Sequence, residues 1–358
     1  MITIIYAYRN RNLKRIQNSL DSLGSQTNRN FNVIFVDYGS ELSIANQVAS
    51  LVKRYLFIQY YYLNTLYQPW NKSKALNFAI KNINSEYCFI ADVDMIFHAE
   101  FISTLYDKMH LNRVIYFQVG FLSKEESKKE VSFDDYKIKF LSNHEVTGMS
   151  LFPTEKLKKI NGFDEFFHFW GAEDTDIHNR LKNAGCEIEF YGQEVLMLHQ
   201  WHPNYRKRET TFLDKEMQLS GIVELNHQHL KYNAENGIIK VNPEKWGSVI
   251  SELDFNELES FDNELVLSNK KEVVECFLFV ELPRFQDEIL SVRFVEDVFQ
   301  ESLTYKVKKA IGKKVPKYYT LKEINDKLLL HIIAFYHQFF YAYKINEDLK
   351  SISFKIKK

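Results

Sequence analysis

From Ile2 to Ala91 the chain alternates between two hydrophobic patterns. Ile2–Tyr8 is a β-branched, apolar run and reads as a strand. Leu13, Ile16, Leu20 and Leu23 follow near helical spacing and stop at Gly24, which predicts a helix. Asn32–Val36 is a short buried-strand pattern ending in the polar turn Asp37-Tyr38-Gly39-Ser40. Ile44–Leu51 then reads as helix, Leu56–Leu63 as an aromatic strand, Ser73–Ile80 as helix and Tyr87–Ala91 as strand. This βαβαβ order predicts an α/β fold, a mostly parallel sheet with helices on its faces. In such sheets ligands bind beyond the carboxyl ends of the strands.

The pattern changes further on. Glu125–Asp135 is charged and reads as a loop or exposed excursion. Thr147–Pro153 predicts a strand and turn, Thr154–Ile160 a short helix closed by Asn161-Gly162, Ile177–Leu181 a helix and Cys186–Phe190 another strand. After about residue 235 the alternation fades, and Gly237, Pro243 and Gly247 suggest a hinge. The expected division is a first domain over 1–235 and a smaller α+β or helical unit over 248–358, serving acceptor, membrane or partner contact.

Composition narrows the classes. The 358 residues are 45% hydrophobic and 15% aromatic, enough for a sizeable core, and the formal net charge of −1 gives no whole-chain attraction to nucleic acid. Cys88, Cys186 and Cys276 show no CxxC spacing, which argues against a disulfide framework or a structural zinc site and fits a reducing compartment. The first residues lack the basic start and long apolar core of a signal peptide. No apolar run approaches the roughly 20 residues of a spanning helix. A cytoplasmic protein is the expectation. Lys306, Lys308, Lys309, Lys313, Lys314, Lys317 and Lys322 form a basic stretch followed by aromatic Leu328–Tyr343. That stretch has two readings at this level: peripheral contact with the inner face of a membrane, or a solvated face beside a core helix. Partner binding or self-association is an equal alternative, and oligomeric state is left open.

The candidate chemistry is acidic. Trp170-Gly171-Ala172-Glu173-Asp174-Thr175-Asp176 packs three carboxylates into four positions just before a helix pattern. Like charges this close repel and raise one another's pKa, unless a cation or a hydrogen-bonded substrate shares the space. Asp92-Val93-Asp94 ends a strand pattern, and its carboxylates can converge on one Mn²⁺ or Mg²⁺. His199, with His202 as the alternative, can add a nitrogen ligand, which suits Mn²⁺ better. Asp174, at the start of the helix, is the candidate general base, with Glu173 bonding the same substrate. Asp176 reads as structural, capping the helix or pairing with Arg180 at i+4. Arg9 and Arg11, just past the first strand, can clamp phosphate oxygens. Lys72 and Lys74 raise the same question, and Asn77 can support that loop.

Together these residues resemble inverting family-2-type glycosyltransferases of the GT-A fold. The opening Ile4-Ile5-Tyr6-Ala7-Tyr8-Arg9-Asn10-Arg11, the turn Val36-Asp37-Tyr38-Gly39-Ser40, Asn71-Lys72-Ser73-Lys74-Ala75-Leu76-Asn77 and Asp92-Val93-Asp94 follow that family's first half. Gly162-Phe163-Asp164-Glu165 and Trp170-Gly171-Ala172-Glu173-Asp174 are similar to the galactosyltransferase-type half of bacterial chondroitin polymerases and β-1,4-galactosyltransferases. The resemblance covers about residues 1–205. It implies transfer of a hexose or N-acetylhexosamine from a UDP-sugar to a hydroxyl of a glycan or lipid-linked acceptor, with inversion, in bacterial surface polysaccharide synthesis. By the same resemblance Asp37 touches uracil or ribose and Asp92 lies near ribose and metal. Asp94 and His199 bind the metal, Asp174 is the base and Trp170 shapes the sugar pocket. Tyr8, Arg9, Arg11, Lys74, Asn77, Val93 and Gly171 complete the expected nucleotide-sugar contacts. Tyr38 departs from the family's usual second Asp. A non-catalytic sugar-nucleotide or glycan-binding module on the same scaffold, and a retaining transferase, are the rival readings.

Overall fold

The computed structural model describes residues 1–203, 211–286 and 288–358. These fall into two units, the first holding 1–66, 70–203 and 223–249, the second 67–69, 211–222 and 250–358.

The first unit is built on β1 (Ile2–Tyr8), β2 (Phe31–Asp37), β3 (Ile58–Tyr62) and β4 (Tyr87–Ala91), joined by α1 (Leu13–Gly24), α2 (Leu42–Val52) and α3 (Lys72–Asn82). β1 pairs in parallel with both β2 and β4, and β2 with β3. β1 sits inside the sheet with Ile2, Ile4, Ile5, Tyr6 and Tyr8 fully buried, because helices cover both faces; hence its unbroken apolar run. The apolar stripe of α1 (Ile16, Leu20, Leu23) is buried, and the Asn12 side chain accepts a hydrogen bond from Arg15 N at 3.2 Å to cap the helix. Asn71 caps α3 in the same way, accepting from Lys74 N at 2.8 Å.

The chain continues through β5 (Met95–Phe97), α4 (Phe101–Lys108), β6 (Arg113–Phe117), β7 (Gly120–Leu122), β8 (Ile138–Leu141), β9 (Ser150–Pro153), α5 (Thr154–Lys159), α6 (Glu173–Asn183), β10 (Glu187–Tyr191), β11 (Met197–His199) and α7 (Ile222–Glu235). The main sheet has seven strands in the order β10-β6-β9-β4-β1-β2-β3. Only β9 runs against its neighbours, so the sheet is mostly parallel, as expected. A smaller sheet, β5-β11-β7-β8, pairs His199 with Met95, directly after Asp94.

Two expectations need correction. α6 begins at Glu173, so the three acids lie inside its first turn and not ahead of it. Asn233–Gly247, read as a hinge, packs into the first unit: Trp246 is 7% exposed among Ala75, Ala79 and Phe163, Lys81 Nζ donates to its carbonyl at 2.9 Å, and Gly247 N donates to Glu165 at 2.6 Å. Around Glu125–Asp135 the chain is an irregular, mostly exposed loop with two short 3₁₀ turns.

The second unit is α+β. Its four-stranded sheet has the order β12 (Glu264–Ser268), β13 (Ile289–Val295), β15 (Ser351–Lys357), β14 (Phe340–Ile345). Around it lie α8 (Glu252–Ser260), α9 (Lys271–Cys276), α10 (Leu282–Arg284), α11 (Leu303–Ala310) and α12 (Leu321–His331). Val292, Phe294, Ile352, Phe354, Leu328 and Ile332 are fully buried. Thr320 and Glu323 close a reciprocal capping box at the start of α12. Among the described residues no helix is long and apolar enough to cross a membrane.

Candidate active site

Two side-chain clusters meet beyond the carboxyl end of β4, joined by Asp92-Val93-Asp94. Val93 is buried and turns inward. The two acids on either side of it lie in the turn between β4 and β5 and meet different partners.

Asp94 is 6% exposed and faces two imidazoles. Its Oδ1 lies 3.7 Å from His199 Nε2 and its Oδ2 3.5 Å from His202 Nε2. One ligand atom from each of Asp94, His199 and His202 lies within 4.8 Å of the others. One carboxylate with two imidazoles is a donor set that suits Mn²⁺ or a similar divalent ion. Both histidines reach Asp94, so the structure does not choose between them. Burial lowers the His202 pKa despite the Asp94 charge, which favours the neutral, ligating imidazole. Gln200, between the histidines and fully buried, fixes this segment. Its backbone N–H and its Nε2 both donate to Asp94 O at 3.1 Å, and its Oε1 accepts from Asn18 on α1 at 2.9 Å. Arg15 Nη1 stands 3.8 Å from Asp94.

The second cluster centres on Lys72, at the first position of α3. Its Nζ is 3.3 Å from Asp92 Oδ1, 3.4 Å from Glu173 Oε1 and 3.5 Å from Asp174 Oδ2. Burial alone would lower the Lys72 pKa, but the Asp174, Asp92 and Glu173 carboxylates outweigh it and hold the ammonium well above its ordinary value. For Asp92 burial pulls upward, yet Lys72 and then His199 bring the carboxyl below the usual range. Asp174 goes the other way. Burial raises it most, Lys72 opposes, and Glu173 and Asp92 add repulsion, so it is pushed up to about 7. A carboxyl near neutrality is matched to proton transfer at cellular pH.

The loop that presents these acids is held in an uncommon backbone conformation. Phe169 (φ 62°), Gly171 (φ 101°) and Ala172 (φ 78°) all take positive φ, which is costly for the two non-glycine residues. Asn226 of α7 restrains it by donating to the carbonyls of His168 and Trp170, each at 3.0 Å, and Phe169 N donates to Trp70 O at 2.8 Å. Trp170 stays 42% exposed. Gly148 lies under the base: a Cβ there would meet Asp174 Oδ2 at 3.2 Å.

The other expected contacts divide. Arg11 is exposed, and its charge reaches both Asp92 and His202. Arg9 donates to Leu66 O at 2.6 Å and opposes the effect of burial on Asp37. Asp37 is fully buried, accepting from Ser40 N at 2.8 Å and Tyr60 OH at 2.9 Å; burial raises its pKa. Tyr8 is core, its OH donating to Arg11 O at 3.0 Å and so shaping the Arg11 loop. Lys74 and Asn77 lie beneath the site and are not among the groups that converge. Lys74 is 4% exposed, burial lowering its pKa against the field of Glu165. Asn77 donates to Phe163 O at 2.8 Å and Glu165 Oε1 at 2.9 Å and accepts from Phe163 N at 2.8 Å. It stitches α3 to the Gly162-Phe163-Asp164-Glu165 turn, which is thereby structural. Asp176 pairs with Arg180 at 2.6 Å, both fully buried.

Residues 128–202 match the family model described as the N-terminal domain of galactosyltransferase. This segment is galactosyltransferase-like. It contains the acidic turn and both histidines. β-1,4-Galactosyltransferase 5 of Sus scrofa is 27% identical over 193 residues, covering 49% of this chain and 45% of that protein. Chondroitin sulfate synthase 3 of Homo sapiens is 27% identical over 128 residues, covering 34% and 14%. The chain thus spans less than half the length of these curated relatives. S. aureus TarS 1–349 in complex with UDP aligns at 13% identity over 97% of this chain and 94% of that one, with a TM-score of 0.47. The resemblance expected from the sequence is borne out, and the large mixed sheet flanked by helices agrees with the GT-A expectation.

Proposed function

We propose that this chain is a glycosyltransferase that moves a hexose or N-acetylhexosamine from a UDP-sugar to an acceptor hydroxyl by metal-dependent single displacement with inversion. The observation that carries the reading is the adjacency of a candidate cation cluster (Asp94, His199, His202) and a candidate base cluster (Lys72, Asp92, Glu173, Asp174) across one three-residue turn. The names of the relatives support sugar transfer, galactosyl transfer among them. UDP is the nucleotide that the sequence resemblance implies.

Asp94 with His199 and His202 would hold the ion, which when bound would neutralise a diphosphate leaving group as a Lewis acid. Arg11 adds positive charge on the same side. Asp174, at the N-terminal turn of α6, accepts the proton of the attacking hydroxyl; its raised pKa makes it a competent base near pH 7. Lys72 keeps Asp174 and Asp92 apart in charge and restrains both carboxylates. Glu173 orients the same hydroxyl, and exposed Trp170 offers an aromatic face to a sugar ring. The protein's contribution is mainly positioning and charge stabilisation.

A panel of UDP-hexoses and UDP-N-acetylhexosamines incubated with the chain and Mn²⁺ tests this reading. Release of UDP from at least one donor, stopped by chelator, is the expected outcome. No release from any donor with a range of saccharide acceptors would set the proposal aside.

A further inference from the structure

Outside the site, the most unusual element of the second unit is α11. None of its residues is buried. Its one inward anchor is Tyr305, whose ring packs edge-on against Phe299 at 5.8 Å and Tyr318 at 5.5 Å. At 100° per residue, Leu303, Val307, Ala310 and Ile311 fall on the opposite arc. That arc is turned to solvent: Leu303 is 80% exposed, Val307 56% and Ile311 61%, and Val298, in the short turn before the helix, is 86% exposed. Lys306 and Lys308 flank the stripe, and Lys309, Lys313, Lys314 and Lys317 continue the charge in exposed positions. No acidic residue occurs between Glu301 and Glu323. Glu301 reaches Lys306 at 3.5 Å, and the other lysines of α11 and the turn after it form no ion pair among the described residues.

A helix normally turns its apolar face to the core. This one turns that face outward and rims it with cations, the arrangement of a helix lying in a charged interface. An isolated apolar patch would fit any protein partner. A patch rimmed by cations fits a surface that is apolar beneath an anionic layer. We propose that α11 and the lysine-rich turn after it dock the chain on an anionic lipid bilayer, with Leu303, Val307 and Ile311 entering the headgroup–acyl boundary and the lysines meeting lipid phosphates. The proposal is independent of the catalytic reading, since it uses none of the site's residues.

Sedimentation of the full chain with vesicles tests it. Vesicles of equal parts phosphatidylglycerol and phosphatidylcholine should carry the protein down, phosphatidylcholine vesicles should not, and added salt should weaken the binding. Lys308→Glu with Lys309→Glu should reduce the partition at least about thirtyfold, taking the loss of two lysines alone. Leu303→Ser with Val307→Ser should abolish it. Because none of these side chains is buried, the variants should keep the wild-type melting temperature. Absence of binding to anionic vesicles, or binding unchanged in both pairs of variants, would overturn the proposal. So would concentration-dependent self-association lost in the Leu303/Val307 variant with no vesicle binding, which would assign the stripe to a second copy of the chain.

Discussion

At the residue scale, Asp174 and Lys72 form a pair whose states are linked. Burial makes the Asp174 carboxylate costly, and the neighbouring ammonium offsets part of that cost. If Asp174 is the base, Asp174→Asn should lower the transfer rate by about 10²–10⁴-fold while leaving UDP affinity, read by calorimetry, nearly unchanged. Only the ionised carboxylate accepts a proton, so the rate should fall as pH drops through about 7. Removing the cation with Lys72→Met should raise the Asp174 pKa further and move that acid limb to higher pH. A pH–rate profile of kcat/KM on both proteins reads this directly. A limb that stays in place would detach Lys72 from the base. Lys72 was only half legible in the sequence. A lysine next to a helix cap has the pattern of a solvated side chain, and nothing local marks acids 20 and 100 or so positions away as its partners. Asn77 was legible only as a support for its loop, because a carboxamide that satisfies buried backbone groups has the same signature as one that binds ligand.

At the element scale, the first turn of α6 separates chemistry from architecture within four residues. Glu173 and Asp174 face Lys72, whereas Asp176 turns into the protein. There it meets Arg180 and accepts from Asn233 of α7 at 2.8 Å, while His229 and Asn233 also bind Asp164 at 2.8 and 3.2 Å. Arg180 completes the network by donating to Gly162 O at 2.9 Å. Removing one member leaves a buried, uncompensated charge. Asp176→Ala should therefore cost about 3–5 kcal/mol, seen as a lower urea midpoint with an unchanged slope. A loss below about 1 kcal/mol would mean that water reaches Arg180 and that the network is not closed. The i+4 spacing made the Asp176–Arg180 pair readable from the sequence. The α7 partners were not readable, since they lie more than 50 positions downstream and their helix carries no strong apolar stripe.

At the scale of the whole molecule, the alternating periods of the first 91 residues were enough to lay out β1–β4 and α1–α3, because central parallel strands must be apolar on both faces. The later part was less open. β5 and β7 are only three residues long, too short for a period, and β8 is exposed throughout, so no apolar pattern marks it. The ends of the units depended on packing that local turn signals do not report: Gly247 takes φ 68° and reads as a breaker, but it lies against α3, where a Cβ would meet Asn77 O at 2.7 Å, while its neighbour Trp246 fills the core. What the fold achieves is convergence. Asp94 and the two histidines are separated by about a hundred positions, and the pairing of β11 with β5 brings them together. Crystals soaked with UDP and Mn²⁺, with anomalous diffraction at the manganese edge, test this most directly. The account requires one manganese peak within bonding distance of the Asp94 carboxylate and at least one of the His199 and His202 imidazoles, next to the diphosphate. Bound UDP with manganese elsewhere, or with none at Asp94, would contradict it.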